Sequence, residues 1–194
     1  MMRKFAVVLA FIAISCLPEV KTELEPDYVV FKTDYNFDNG VNNVIDRSEP
    51  WIIKQRNLVI IRVDSTGSTS IEDEFVSDDM ITSELKKYIK PSPDVTGMPE
   101  TVEEAYQYAG TVMKNKSLIV MGIFDPSLDY NTYNSIRNKI FSAYNQVRDD
   151  YGRNLFGKTA QEMLSSDREE SDDYKWEELK QIIPIRYQEV VEKN

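Results

Sequence analysis

The side chains able to do chemistry in this chain are mostly carboxylates: 33 acidic residues, one cysteine and no histidine in 194 residues. The missing histidine excludes Ser-His-Asp and Cys-His nucleophilic catalysis and any His/Cys zinc site. Asp125 and Asp129 are close enough in sequence to serve as an acid–base pair. They stand just before a helix, where capping and the helix dipole account for both more simply. Asp34-Tyr35-Asn36-Phe37-Asp38-Asn39-Gly40 alternates oxygen-bearing side chains as an EF-hand loop does. Its glycine comes one position late, however, and the twelfth position is Ile45 rather than a bidentate Glu, so a solvated turn is expected. No catalytic residue, metal site or cofactor is expected.

Cys16 is the exception with a chemical meaning. Arg3 and Lys4 precede ten uncharged apolar residues, 5–14, and then Ser15 and Cys16. A basic start, a short apolar stretch and a small residue before a break describe an export signal. The apolar stretch is too short for a spanning helix of about 20 residues. Ala13-Ile14-Ser15-Cys16 resembles the lipobox of bacterial lipoproteins, with Ala13 where Leu is usual. Lipidation at Cys16 is the expectation; cleavage without lipid and an uncleaved anchor are the other readings. All three place the rest of the chain outside the cytoplasm, on the periplasmic side of a bacterial envelope. Asn115-Lys116-Ser117 matches the glycosylation triplet, which means little beside a bacterial signal.

Charge narrows the partners further. Without Arg3 and Lys4, 21 basic side chains face 33 acidic ones, a charge of −12. That balance excludes binding to a nucleic-acid backbone, and it leaves attachment to a membrane to a lipid anchor. Residues 167–180 carry seven of the carboxylates and three cations. They read as a solvated helical face, with Trp176 and Leu179 holding it to the core. The best interaction candidate is the alternating run 185–190, whose Ile185, Tyr187 and Glu189 share one face. A strand near the end of the chain can lie at a sheet edge and accept a strand from a partner; a strand paired only within the domain is the other reading.

These residues must be positioned by a small set of elements. Residues 17–56 read as a tether with at most a local turn. Residues 58–63 form a strand covered on both faces, Asp64-Ser65-Thr66-Gly67 a turn, and residues 69–71 a short returning strand. Ser77 is an apt N-cap for a helix presenting Ile81, Leu85, Tyr88 and Ile89 and ending before Pro91. Residues 91–116 are an insert, with Thr101-Val102-Glu103-Glu104 fitting a capping box and a short helix to Tyr108. A second strand at 117–124 leads to a long helix, 130–151, with Tyr133, Ile136, Ile140, Tyr144 and Val147 on its apolar face and Gly152 as its stop. An acidic helical extension, 152–181, precedes the final strand. The fold class is α+β: a small mixed sheet against two main helices, with a helical C-terminal extension.

Two stretches resemble the periplasmic domain of the ExbD/TolR biopolymer-transport family. One is residues 58–85, with Phe75-Val76-Ser77-Asp78-Asp79-Met80-Ile81 between strand and helix. The other is residues 117–144, with Leu128-Asp129-Tyr130-Asn131-Thr132-Tyr133 opening the long helix. Phe156-Gly157-Lys158 and Ile182-Ile183-Pro184 are similar to the longer, Bacteroidota-type members. The resemblance spans 57–194. It implies a non-enzymatic module that contacts ExbB/TolQ-like or TonB/TolA-like proteins and forms homodimers. The family carries an essential Asp in a transmembrane helix, whereas residues 5–17 hold no carboxylate. Proton transfer within a membrane needs such a group. The expectation is therefore an exported, lipid-anchored relative of the periplasmic domain alone. The alternative is an envelope lipoprotein that binds peptidoglycan, glycan or peptide.

Overall fold

The computed structural model describes residues 28–31, 51–93 and 95–191. Cys16 and the calcium-like run 34–40 lie outside them. Within the expected tether, β1 (Tyr28–Phe31) pairs antiparallel with β2 (Trp51–Lys54), so that segment is not irregular throughout. β-branched and aromatic residues, Tyr-Val-Val-Phe against Trp-Ile-Ile-Lys, suit such a ladder.

The central sheet has five strands in the order β5-β4-β3-β8-β9. They are β3 (Leu58–Val63), β4 (Thr69–Ile71), β5 (Glu74–Val76), β8 (Ile119–Phe124) and β9 (Tyr187–Val191). β3, β8 and β9 are parallel; β4 and β5 fold back antiparallel. Parallel neighbours require crossovers, and these carry the helices. One crossover holds α1 (Ile81–Ile89) and a hairpin of β6 (Thr101–Tyr106) and β7 (Gly110–Asn115). The other holds α2 (Tyr130–Phe156), α3 (Ala160–Met163) and α4 (Glu170–Ile182). The α+β architecture, a mixed sheet packed against two main helices, is the one the patterning implies.

Strand alternation decides which side is covered. Val59, Ile61 and Val63 of β3 and Val120 and Phe124 of β8 point to one face and are buried. Against them pack Ile81, Leu85 and Ile89 of α1 and Ile136, Ile140, Ala143, Tyr144 and Val147 of α2. On the other face Leu58 and Ile119 are buried at the start of the strands, whereas further along Ile60, Met121 and Ile123 are half-buried, Arg62 is exposed and Phe75 is 75% exposed.

Four local expectations need correction. The helix expected from Ser77 begins at Ile81; Ser77 instead makes a turn, accepting from the Met80 N–H and donating its hydroxyl to Asp79. The helix expected after Thr101 is strand β6. Its Val102 and Glu104 oppose Lys114 and Val112, and Gly110, at φ 71°, turns the hairpin. Gly152 does not stop the long helix. It is buried inside it, and Gly157, in the left-handed region at φ 72°, ends it five residues later. Finally, the acidic helix is not solvated throughout. Asp172 is fully covered, paired with Lys158 at 2.7 Å and Lys175 at 3.1 Å.

Candidate functional site

The C-terminal strand is where the sequence places its interaction residues, and its position follows from the chain on either side. Ile182 and Ile183 anchor the end of α4 in the core. Pro184 cannot continue a helix, and the chain extends from there. Ile185 lies just before the strand and is exposed. The Val120 N–H donates to the Arg186 carbonyl at 2.9 Å, which sets the parallel register Val120↔Tyr187. In a parallel ladder backbone groups alternate direction along the strand. Arg186 and Gln188 therefore turn their backbone groups to β8, and Tyr187 and Glu189 turn theirs outward. Among the described residues no strand pairs with that outer side.

The side chains alternate as well, and this separates two roles the sequence had merged. Tyr187 and Glu189 direct their side chains under the sheet, onto α2. The Tyr187 ring lies edge-on to Phe141, centroids 5.5 Å apart, and packs over Gly122. A Cβ at Gly122 would stand 2.6 Å from the Tyr187 hydroxyl, so only glycine leaves room for that ring. Glu189 accepts from the Tyr133 hydroxyl at 2.6 Å and from Arg137 Nε at 2.7 Å. Burial, reinforced by the Glu189 charge, pushes the Tyr187 phenol well above its ordinary range. Glu189 in turn holds the Arg137 guanidinium charged. These contacts fasten β9 to the helix and leave its outer backbone row open. A shallow hollow of about 230 Å³ runs beside it, lined by Arg137, Phe141, Ile185 and the strand.

The other sequence candidates take structural places. Asp125 closes a turn after β8 by accepting from the Ser127 N–H at 2.8 Å and from its hydroxyl. Asp129 is the N-cap of α2, accepting from the Asn131 and Thr132 N–H groups, each at 3.0 Å. These hydrogen bonds favour the ionised carboxylates and hold both below the usual range. Asn115 is buried and donates to the carbonyls of Tyr88 at 3.1 Å and Ile89 at 2.8 Å, the end of α1, so it is no glycan acceptor. Trp176 lies against the Arg148 guanidinium, 5.4 Å from ring centroid to Cζ, and Leu179 is buried.

Sequence reading missed a polar knot at Glu100. Its carboxylate accepts from Lys54 at 2.7 Å, from Arg56 and from Asn57 at 3.3 Å, and its N–H donates to Asn57 Oδ1 at 2.7 Å. Those donors hold the carboxyl down to about 2. More than 40 residues separate the partners, so no local pattern announces them. Among the described residues no group of three or more His, Cys, Asp or Glu could hold a metal ion. No helix among them is long and apolar enough to cross a membrane. Comparison with known proteins gave no match to a protein-family model, a curated protein or a solved structure.

Proposed function

We propose that this chain is a non-enzymatic, membrane-tethered module of the cell envelope, resembling the ExbD/TolR periplasmic domain and acting by protein–protein contact in a proton-motive-force-driven machine. The observation that carries the proposal is the outer edge of β9, where the backbone groups of Tyr187 and Glu189 have no partner strand among the described residues. An extended segment of an ExbB/TolQ-like or TonB/TolA-like protein adds there as a further strand. Main-chain hydrogen bonds supply affinity, and the hollow beside Arg137 and Phe141 supplies side-chain selection. The opposite edge, β5, is three residues long and offers little to pair with. Cys16, outside the described residues, supplies the tether by acylation on the periplasmic side, each buried CH₂ contributing roughly 0.8 kcal/mol. Residues 5–17 hold no carboxylate, so proton passage belongs to a partner channel rather than to this chain.

The test is crosslinking in the native envelope. A photoreactive residue replacing Val190, whose side chain is exposed beside the open edge, is expected to capture an ExbB-like or TonB-like protein. Replicate captures that yield neither would discard the proposal. In the same cells Cys16→Ala should move the protein from the membrane to the released fraction; unchanged membrane association would rule out acylation.

A further inference from the structure

A second cavity lies between the turn before β3, the segment leading into β6 and the residue after β7. It has a volume of about 390 Å³ and polar walls that include Arg56, Ser92, Thr96, Glu100, Thr101 and Lys116. We propose that this cavity binds a phosphate group, presented either by a soluble phosphate or by a lipid headgroup.

Charge sets the sign of the ligand. Glu100 is the carboxylate facing the cavity among the described residues. Its oxygens are already occupied by Lys54, Arg56 and Asn57, so it has little capacity left to accept from a ligand. Arg56 uses one terminal nitrogen on Glu100 and keeps further N–H donors in a planar fork suited to phosphate oxygens. Lys116 has no ion pair among the described residues. Its backbone is fixed on both sides: its N–H donates to the Glu100 carbonyl at 2.8 Å, and its carbonyl accepts from Arg186 at 3.2 Å. Two cations, Arg56 and Lys116, thus line the cavity against one carboxylate among the described residues, in a chain of net charge −10. The hydroxyls of Thr96 and Thr101 add neutral donors, while that of Ser92 donates to the Lys90 carbonyl at 3.2 Å. A cation would meet Arg56 and Lys116 with the Glu100 oxygens already occupied, whereas a phosphate can accept from Arg56, Lys116, Thr96 and Thr101.

The experiment uses the full chain carrying Cys16→Ala, so that no acyl chain contributes to lipid binding. Inorganic phosphate is titrated against chloride at matched ionic strength, with backbone amide shifts recorded. Saturable shifts at Thr96, Thr101 and Lys116 are expected, with affinity at least roughly tenfold weaker in Lys116→Ala. Lys87→Ala, on α1 and paired with Glu84, should bind as the parent does. A second arm measures sedimentation with phosphatidylglycerol-containing and phosphatidylcholine-only vesicles. Lys116-dependent capture by the anionic vesicles assigns a lipid headgroup. Saturation by free phosphate without capture assigns a soluble ligand. If neither arm shows binding, or if Lys116→Ala binds as tightly as the parent, the site is refuted.

Discussion

Gly152 illustrates how one residue can be misread when its neighbours in space are unknown. Helix propensity alone predicts that alanine in place of a mid-helix glycine stabilises by about 1 kcal/mol. A Cβ at Gly152 would stand 2.6 Å from the Lys158 carbonyl oxygen and 2.9 Å from Met163 Cε. The nearer contact is backbone and cannot rotate away. Overpacking of this kind costs roughly 1–3 kcal/mol, which outweighs the propensity gain. Gly152→Ala is therefore expected to lower the urea midpoint; a raised midpoint would show that the turn after α2 gives way. Asn57 and Glu100 make the same point with polarity. Asn57 is 2% exposed, and both its amide groups are matched to Glu100. Glu100→Ala keeps the backbone N–H that Asn57 Oδ1 accepts from but removes the acceptor of the Asn57 amide N–H, and should cost roughly 1–3 kcal/mol in the same unfolding measurement. An unchanged midpoint would mean the knot adds nothing.

Among the elements, the hairpin β6–β7 is tied to helix α4 by the side chain of Glu178. The Glu178 carboxylate accepts from the N–H groups of Gln107, Tyr108 and Ala109, at 2.8 to 3.1 Å. Tyr108 stacks on Tyr174 beside it, centroids 6.0 Å apart. Three amides that would otherwise face water at a hairpin tip are thereby tied to a helix about 70 residues away. Glu178→Ala is expected to speed hydrogen exchange at residues 107–109 by removing that acceptor, while β3 and β8 keep their protection. Equal protection at the tip in both proteins would show that Tyr108 and Tyr174 alone hold it. The sequence of β6 shows why this hairpin was misassigned. Thr101-Val102-Glu103-Glu104 satisfies a capping box locally, and the same four residues satisfy a strand once Asn115, Lys114, Met113 and Val112 lie opposite.

For the whole molecule, acid sensitivity follows from carboxylates held ionised in distant regions. Glu100 is lowered from 4.5 to about 2, chiefly by the Lys54 hydrogen bond. Asp172 is lowered from 3.8 to about 2, chiefly by Lys158. In each case the unfolded chain takes up its proton at higher pH than the folded one. The stabilisation is thus complete above about pH 4.5 and is lost as the pH falls toward about 2. Glu72, raised by its own burial, works in the opposite direction. The melting temperature should decline across that window. The double variant Glu100→Gln, Asp172→Asn should start lower and decline less steeply. A double variant with the parent's slope would place the acid response elsewhere.

By itself the sequence determined what short-range patterning can encode. Val59, Ile61 and Val63 alternate onto the core face, and Ile136, Ile140, Tyr144 and Val147 recur at helical spacing. The order of the main strands and helices, and the cap at Asp129, are therefore legible without coordinates. The edge strand was legible too, as an alternation around Tyr187 and Glu189, but not the direction of its parts. Only the tertiary structure decided that their side chains belong to α2 and their backbone groups to the outside. That assignment depends on register against β8, fixed by the Val120 bond to Arg186 some 66 residues away. The Glu100 knot, the Glu178 tie and the buried Asp172 were hidden for the same reason. A carboxylate's type is written in the chain, whereas its partners are chosen by which surfaces meet when the core closes.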